Sequence, residues 1–167
     1  MVTAAYDVIE RLSDFLIEPQ ESHEVEMKRW LNLSDSEHKA NLAKAILAIA
    51  NHGGGIIIIG FEEKESVYVP SEPRPLDLNL YNQDYINGII AHYAEPEFHC
   101  EVRIVKHPTS GVLYPVIRIP GGSVPIRTKR GGPENGKTIS NNTYYIRRPG
   151  PASEPPKSAQ EWDSFLG

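Results

Sequence analysis

Between residues 23 and 30 the chain alternates strictly. Val25 and Met27 fall on one side and Glu24, Glu26 and Lys28 on the other, the two-residue period of a strand with one charged face. Upstream the period changes. Tyr6, Ile9, Leu12 and Leu16 recur at helical spacing over residues 3–16, with Thr3 as cap and Pro19 as stop. Downstream, Leu42, Ile46, Ile49 and Ala50 form a second helical stripe, opened by a Ser34–Glu37 capping box and stopped by residues 51–55. The run IIIIGF, 56–61, is apolar on both faces and β-branched, which places it in the middle of a sheet.

Residues 62–66 read as a turn, 67–69 as a returning strand, and PSEPRPLD as a proline-rich connection. Over 82–94, Tyr85, Ile86, Ile89, Ile90 and Tyr93 make the inner face of another amphipathic helix. The segments FHCEVRIVKH and GVLYPVIRIPG alternate about a PTSG turn and predict a hairpin. Shorter strands are expected at 124–129 and 143–148. Together these elements predict an α/β domain with a mixed β-sheet flanked by helices. The boundary falls at residue 153: residues 1–153 form the domain, and 154–167 a linker and the start of a helix that stops early. The natural chain is expected to continue into a C-terminal region, or the piece to be an excised N-terminal domain.

Composition narrows the class. The 167 residues suit one domain, and 40% hydrophobic against 23% charged residues suits a folded, soluble chain. No apolar run approaches the roughly 20 residues that cross a bilayer, and the acidic N-terminus is unlike a signal peptide. One cysteine, Cys100, excludes an internal disulfide and a cysteine-rich zinc site, so a cytoplasmic setting is expected. The net charge of −5 argues against indiscriminate nucleic-acid coating. Yet residues 118–148 hold Arg118, Arg127, Lys129, Arg130, Lys137, Arg147 and Arg148 against a single acid, Glu134. This segment is either a local anion-binding face or a set of solvated loop charges.

Within it, GGPENGKT (131–138) satisfies the P-loop pattern G-x-x-x-x-G-K-[ST], in which backbone amides and a lysine cradle phosphates. Its context is wrong. The polar segment PIRTKR precedes it and the strand-forming ISNNTYYIRR follows, so the match reads as a hairpin tip on which Lys137 still offers a phosphate contact.

The stronger chemical pattern is carboxylate. Glu21 and Glu26 stand at the mouth of one strand, Glu62 and Glu63 at the end of another. If those strands pair, three acids converge. Such a cluster is costly unless a hard cation neutralises it, and Mg²⁺ or Mn²⁺ there would activate water and stabilise a departing phosphate oxygen. Lys28, on the face of Glu26, would neutralise the scissile phosphate. The competing reading is simple solvation of strand-end acids. Of six histidines only His23 lies among these acids; Ser22 has no partner base; His52 reads as part of the helix stop. Tyr144 and Tyr145 offer base stacking or core packing, and Gly53 to Gly55 offer either close approach to phosphate or a helix stop.

The order Glu-Ser-x-x-x-Glu-x-Lys, a helix ending Ala-x-Ala-Asn-x-Gly-Gly-Gly, and an apolar strand ending Ile-Gly-Phe-Glu-Glu resembles the AlbA-like domain of the Schlafen superfamily. The later TYYIRRPGPAS resembles that family's closing strand, so the likeness covers most of residues 18–153. It implies an α/β domain that binds nucleic acid. For endonuclease members it implies metal-dependent cleavage of tRNA or other structured RNA, with some relatives linked to phage defence. By position the three acids fall on Glu21, Glu26 and Glu62, with Glu63 as the alternative to the last. The family's third acid is usually Asp, and its well-studied nucleases set two lobes face to face, which a homodimer of this chain would restore.

Three readings follow. The leading one is an Mg²⁺- or Mn²⁺-dependent endoribonuclease using Glu21, Glu26 and Glu62, assisted by Lys28, with Arg127, Lys129, Arg130, Lys137, Arg147 and Arg148 on the nucleic-acid backbone. The second is a non-catalytic module that binds RNA or DNA. The third is nucleotide binding through 131–138.

Overall fold

The structure, a computed structural model, describes residues 12–22, 24–134, 136–148 and 152–167. His23 and most of the helix expected over 3–16 lie outside them; residues 12–17 are helical. A four-stranded sheet of order β1-β2-β7-β6 organises the chain, formed by β1 (Val25–Lys28), β2 (Gly54–Ile59), β6 (Glu101–Lys106) and β7 (Leu113–Pro120). β1 and β2 run parallel, in register Val25 to Ile56 through Lys28 to Ile59. Parallel neighbours need a crossover, and helix α1 (Ser36–His52) supplies it. β7 pairs antiparallel with β2 and with β6, which makes the sheet mixed and realises the hairpin expected around PTSG.

The alternation of apolar side chains divides the core into two layers. Ile57, Ile59, Ile117 and Ile119 face α1 and α2 (Gln83–Tyr93), where Leu42, Ile46, Leu47, Ile49, Ile86 and Ile90 are buried. Burying each such side chain contributes about 1.5–3 kcal/mol, which explains why an alanine-rich helix docks firmly. Val25, Met27, Ile58, Val116 and Tyr114 face the other way, against Leu12, Leu16 and Phe61.

Two local expectations need correction. Helix α1 is capped by Asp35 rather than Ser34: its carboxylate accepts from the amides of Glu37 and His38, and Ser34 lies in the preceding turn. The strand expected over 56–61 breaks at Gly60, and Glu62 lies in a strand, not a turn. β3 (Phe61–Lys64) and β4 (Val67–Pro70) form a separate hairpin. Its turn residues, Glu65 and Ser66, have φ of 50° and 65°, as a two-residue hairpin turn requires. Gly60 has φ 110°, and a Cβ there would stand 2.7 Å from the Trp30 ring and 2.8 Å from that of Tyr114. Only glycine fits that slot between two stacked aromatics.

Short strands complete the chain: β5 (Ala94–Glu95) pairs with β8 (Arg127–Thr128), and β9 (Ile146–Arg148) with β10 (Ala152–Glu154). Helix α3 (Ala159–Leu166) follows, and its Trp162 and Phe165 rings pack against Tyr144. No helix among the described residues is long and apolar enough to cross a membrane.

Candidate functional site

At the end of α1, Asn51 fastens two distant segments at once. Its side-chain amide donates to the carbonyls of Ile126 and Tyr145, and its oxygen accepts from the amide of Ile126. Thr128, wholly buried, donates its hydroxyl to Ser140 and accepts from the Thr143 amide. These bonds lay β9 along α1, and β9 delivers Arg147 to β1.

The Arg147 side chain is completely buried. Its Nη1 donates to Glu26 Oε1 at 2.6 Å, and its Nη2 to the carbonyl of Ser22 at 2.9 Å. Lys28 Nζ stands 3.3 Å from the other Glu26 oxygen and donates to Asn41 Oδ1 of α1 at 2.7 Å. Lys44, one turn on, is held below the usual lysine range by burial and by the nearby Lys28 charge. Glu26 therefore sits in a cationic nest. Arg147, expected on the nucleic-acid backbone, instead faces inward, because its charge is matched by the one acid buried on β1.

The remaining acids have other partners. Glu21 accepts a short hydrogen bond from the Tyr68 hydroxyl of β4, and Tyr68 also reaches Glu63 at 3.3 Å. Burial pushes the Glu21 carboxyl above its ordinary range; the Tyr68 hydrogen bond opposes that, and the charge of Glu26 adds to it. Glu62 is held by Arg29 at 2.8 Å and Lys64 at 3.3 Å, and these cations lower its carboxyl. Glu21 and Glu26, five residues apart at the start of β1, lie within electrostatic range of one another, while β3 gives Glu63, not Glu62, a hydrogen-bond donor in common with Glu21.

This donor set does not fit a hard divalent cation as it stands. Glu26 and Glu62 are already neutralised by Arg147, Lys28, Arg29 and Lys64, and an ion between them would face those four charges. Among the described residues no group of three or more His, Cys, Asp or Glu is arranged to hold a metal.

The basic segment divides in two. Arg127 is paired with Glu95 at 2.6 Å, and Arg148 with Glu154 at 3.4 Å and Glu161 at 3.3 Å. Lys129, Arg130 and Lys137 are exposed, with Lys137 only 3.9 Å from Glu134. Gly132 and Ile139 form a bridge, and the described residues that follow enter a strand and not a helix, so the P-loop scaffold is absent. Likewise Gly55 answers to the fold, since a Cβ there would lie 2.2 Å from the Glu24 carbonyl just before β1.

Lys129 is fixed by its own amide, which donates to the carbonyl of Tyr93 at the end of α2. There it meets residues the sequence did not single out. Burial, and after it the charges of Arg130, Lys39 and Lys129, hold the His92 imidazole below its usual protonation range. Lys39 and His92 line a groove of about 440 Å³ between α1 and α2, with Asp84, Tyr85, Gly88, Ile89 and Tyr93. Tyr85 is immobilised by donating to the Leu33 carbonyl at 2.6 Å. Gly88 is an interior helical position where glycine costs about 1 kcal/mol relative to Ala, and a Cβ there would meet nothing within 4 Å. That lone glycine within an amphipathic stripe was the one visible signal in the sequence. Nothing in the sequence pointed to Lys39 or His92.

The family model of the Schlafen AlbA_2 domain matches residues 21–154. The chain belongs to that family. The expected mixed-sheet α/β architecture is the one found. A comparison with curated proteins gives no match. Among solved structures, the chain is similar to the DIP2311 protein from Corynebacterium diphtheriae, at 16% identity and a TM-score of 0.57. That alignment covers 99% of this chain but only 30% of the other, so the AlbA_2 chain spans under a third of that protein. It is also similar to the N-terminal domain of a putative ATP-dependent DNA helicase RecG-related protein from Nitrosomonas europaea. There the identity is 22% and the TM-score 0.50, over 79% of this chain and 87% of that one. At these identities the likeness is one of fold.

Proposed function

We propose that this AlbA_2 domain is a nucleic-acid-binding module whose contacts with the phosphate backbone come from Lys129, Arg130 and Lys137, joined by Lys39 and His92. Family membership supports the class of ligand. The observation that carries the choice of residues is the division of the cations: Arg127, Arg147 and Arg148 are consumed by Glu95, Glu26, Glu154 and Glu161, whereas Lys129 and Arg130 stand exposed beside His92. Exposed cations that release counterions from phosphates supply affinity that is largely independent of sequence. The neutralised state of Glu26 and Glu62 favours binding without cleavage by this domain.

The test is incubation of the purified protein with labelled tRNA and single-stranded DNA, in Mn²⁺ or in EDTA, followed by gel-shift titration against salt. Intact substrate with a salt-sensitive shift is the expected result. Cuts that require Mn²⁺ would overturn the non-catalytic part and restore the endoribonuclease centred on Glu21, Glu26 and Glu62. Metal dependence is the discriminating readout because Glu26→Gln disturbs a buried ion pair as well as any chemistry. An unshifted substrate at low salt would remove the binding role itself.

A further inference from the structure

We infer that the groove between α1 and α2 accepts one unpaired nucleotide of a bound strand, its base over Gly88 and its phosphate against His92, Lys129 and Arg130. The inference rests on the nucleic-acid reading above and adds the form of the ligand to it. Three observations point the same way.

The first is charge. On a chain of net charge −5, Lys39 lines the cavity beside His92, while Lys129, its amide bonded to the Tyr93 carbonyl, and Arg130 stand near enough for their charges to act on His92. The acid in the lining, Asp84, lies at the opposite end of α2 from Tyr93, about 13 Å along the helix axis. The groove therefore has a cationic end, where the phosphate belongs.

The second is shape. A volume of about 440 Å³ suits one nucleotide, and falls within the range of small-molecule sites. Ile89 and Tyr93 are nearly buried and Tyr85 partly so, which gives an apolar floor suited to a flat base. The Tyr85 hydroxyl is committed to Leu33, and the Lys129 amide to Tyr93, so the walls are set before any ligand arrives.

The third is Gly88. It is exposed, it needs no positive φ, and nothing crowds its missing Cβ. Packing does not call for glycine here, yet any larger residue would project into the groove between Asp84 and His92, its neighbours one turn away on either side. A base held in this way must be unstacked, so single-stranded segments or splayed loops are the ligand class, not continuous duplex.

The experiment measures fluorescence anisotropy with a labelled ten-nucleotide thymidine strand and with an abasic strand of the same length and charge. The proteins are the unaltered chain, Gly88→Leu and Gly88→Ala. The thymidine strand should bind the unaltered protein about tenfold more tightly than the abasic strand. Gly88→Leu should abolish that difference without weakening the abasic complex; Gly88→Ala, which adds one methyl to open space, should reduce it and serves if the leucine variant does not fold. Competition by thymidine monophosphate separates a site that takes free nucleotides from one that requires a strand, and either result supports a nucleotide site when Gly88→Leu removes it. Equal affinity of the two strands for the unaltered protein, or an undiminished difference in both Gly88 variants, would overturn the groove while leaving the binding module intact. Failure of both strands to bind at low salt would instead remove the function on which the groove depends.

Discussion

The Arg147 guanidinium donates to the Glu26 carboxylate at 2.6 Å, joining residues 121 positions apart in the chain. It ties β9 to β1 through the interior, and Lys28 and the Ser22 carbonyl complete the arrangement. A buried pair of this kind contributes little net stability relative to apolar replacement, but removing one partner strands the other.

Arg147→Met should therefore destabilise the fold by about 3–5 kcal/mol. Glu26→Gln should cost less, because its amide still accepts from Arg147. The double variant should be more stable than the sum of the two, by more than about 0.5 kcal/mol. Urea denaturation of the four proteins measures this coupling, and strict additivity would mean the pair does not act as a unit.

Lys129→Ala and Arg130→Ala should each weaken nucleic-acid binding and each reduce the slope of log affinity against log salt by about one. Arg127→Ala should alter that slope little, because Arg127 is already paired with Glu95. Salt titrations by anisotropy distinguish these outcomes, and an Arg127 effect as large as that of Arg130 would reassign the contact surface.

Glu21 gives stability a pH dependence. Burial raises its carboxyl in the folded state, the Tyr68 hydrogen bond opposes this, and the Glu26 charge reinforces it. The folded protein thus holds this proton more tightly than the unfolded chain. The resulting stabilisation is present below the unfolded pKa and is lost as pH rises through the higher folded one. Glu21→Gln, which keeps an acceptor for Tyr68, should melt higher than the unaltered protein at neutral pH, by on the order of 1 °C. That advantage should disappear as the pH falls below the ordinary carboxylate range. An advantage that grows on acidification would show the sign to be wrong.

Two glycines should respond oppositely to alanine. Gly60→Ala places a Cβ at positive φ between Trp30 and Tyr114, and should cost about 2–4 kcal/mol. Gly88→Ala meets open space in a helix and should gain about 1 kcal/mol. Thermal melts of the two variants give the comparison directly. Destabilisation by Gly88→Ala would mean that the position serves the fold and not the groove.

Much of the fold was legible because its signals are short-ranged. The alternation around Val25 and Met27, the stripe through Leu42 and Ile46, and the hairpin about residues 108–111 each depend on residues within a turn or a strand of one another. The misplaced cap and strand break arose where several local partners competed. Ser34 and Asp35 are both good caps, and only the path of the backbone selects Asp35. Gly60 looks like one more residue of an apolar run until Trp30 and Tyr114 close over it.

What the chain determined by itself was therefore the succession of helices and strands, the faces they bury, and the family to which the motifs belong. The pairing of charges was decided by the tertiary structure alone. Periodicity and turn chemistry act between neighbours in sequence, whereas an ion pair acts over a few ångströms of space. Only when α1, α2, β1, β8 and β9 are packed does Arg147 lose its exposure to Glu26, and only then do the charges of Lys39, Lys129 and Arg130 come within reach of His92 beside the groove.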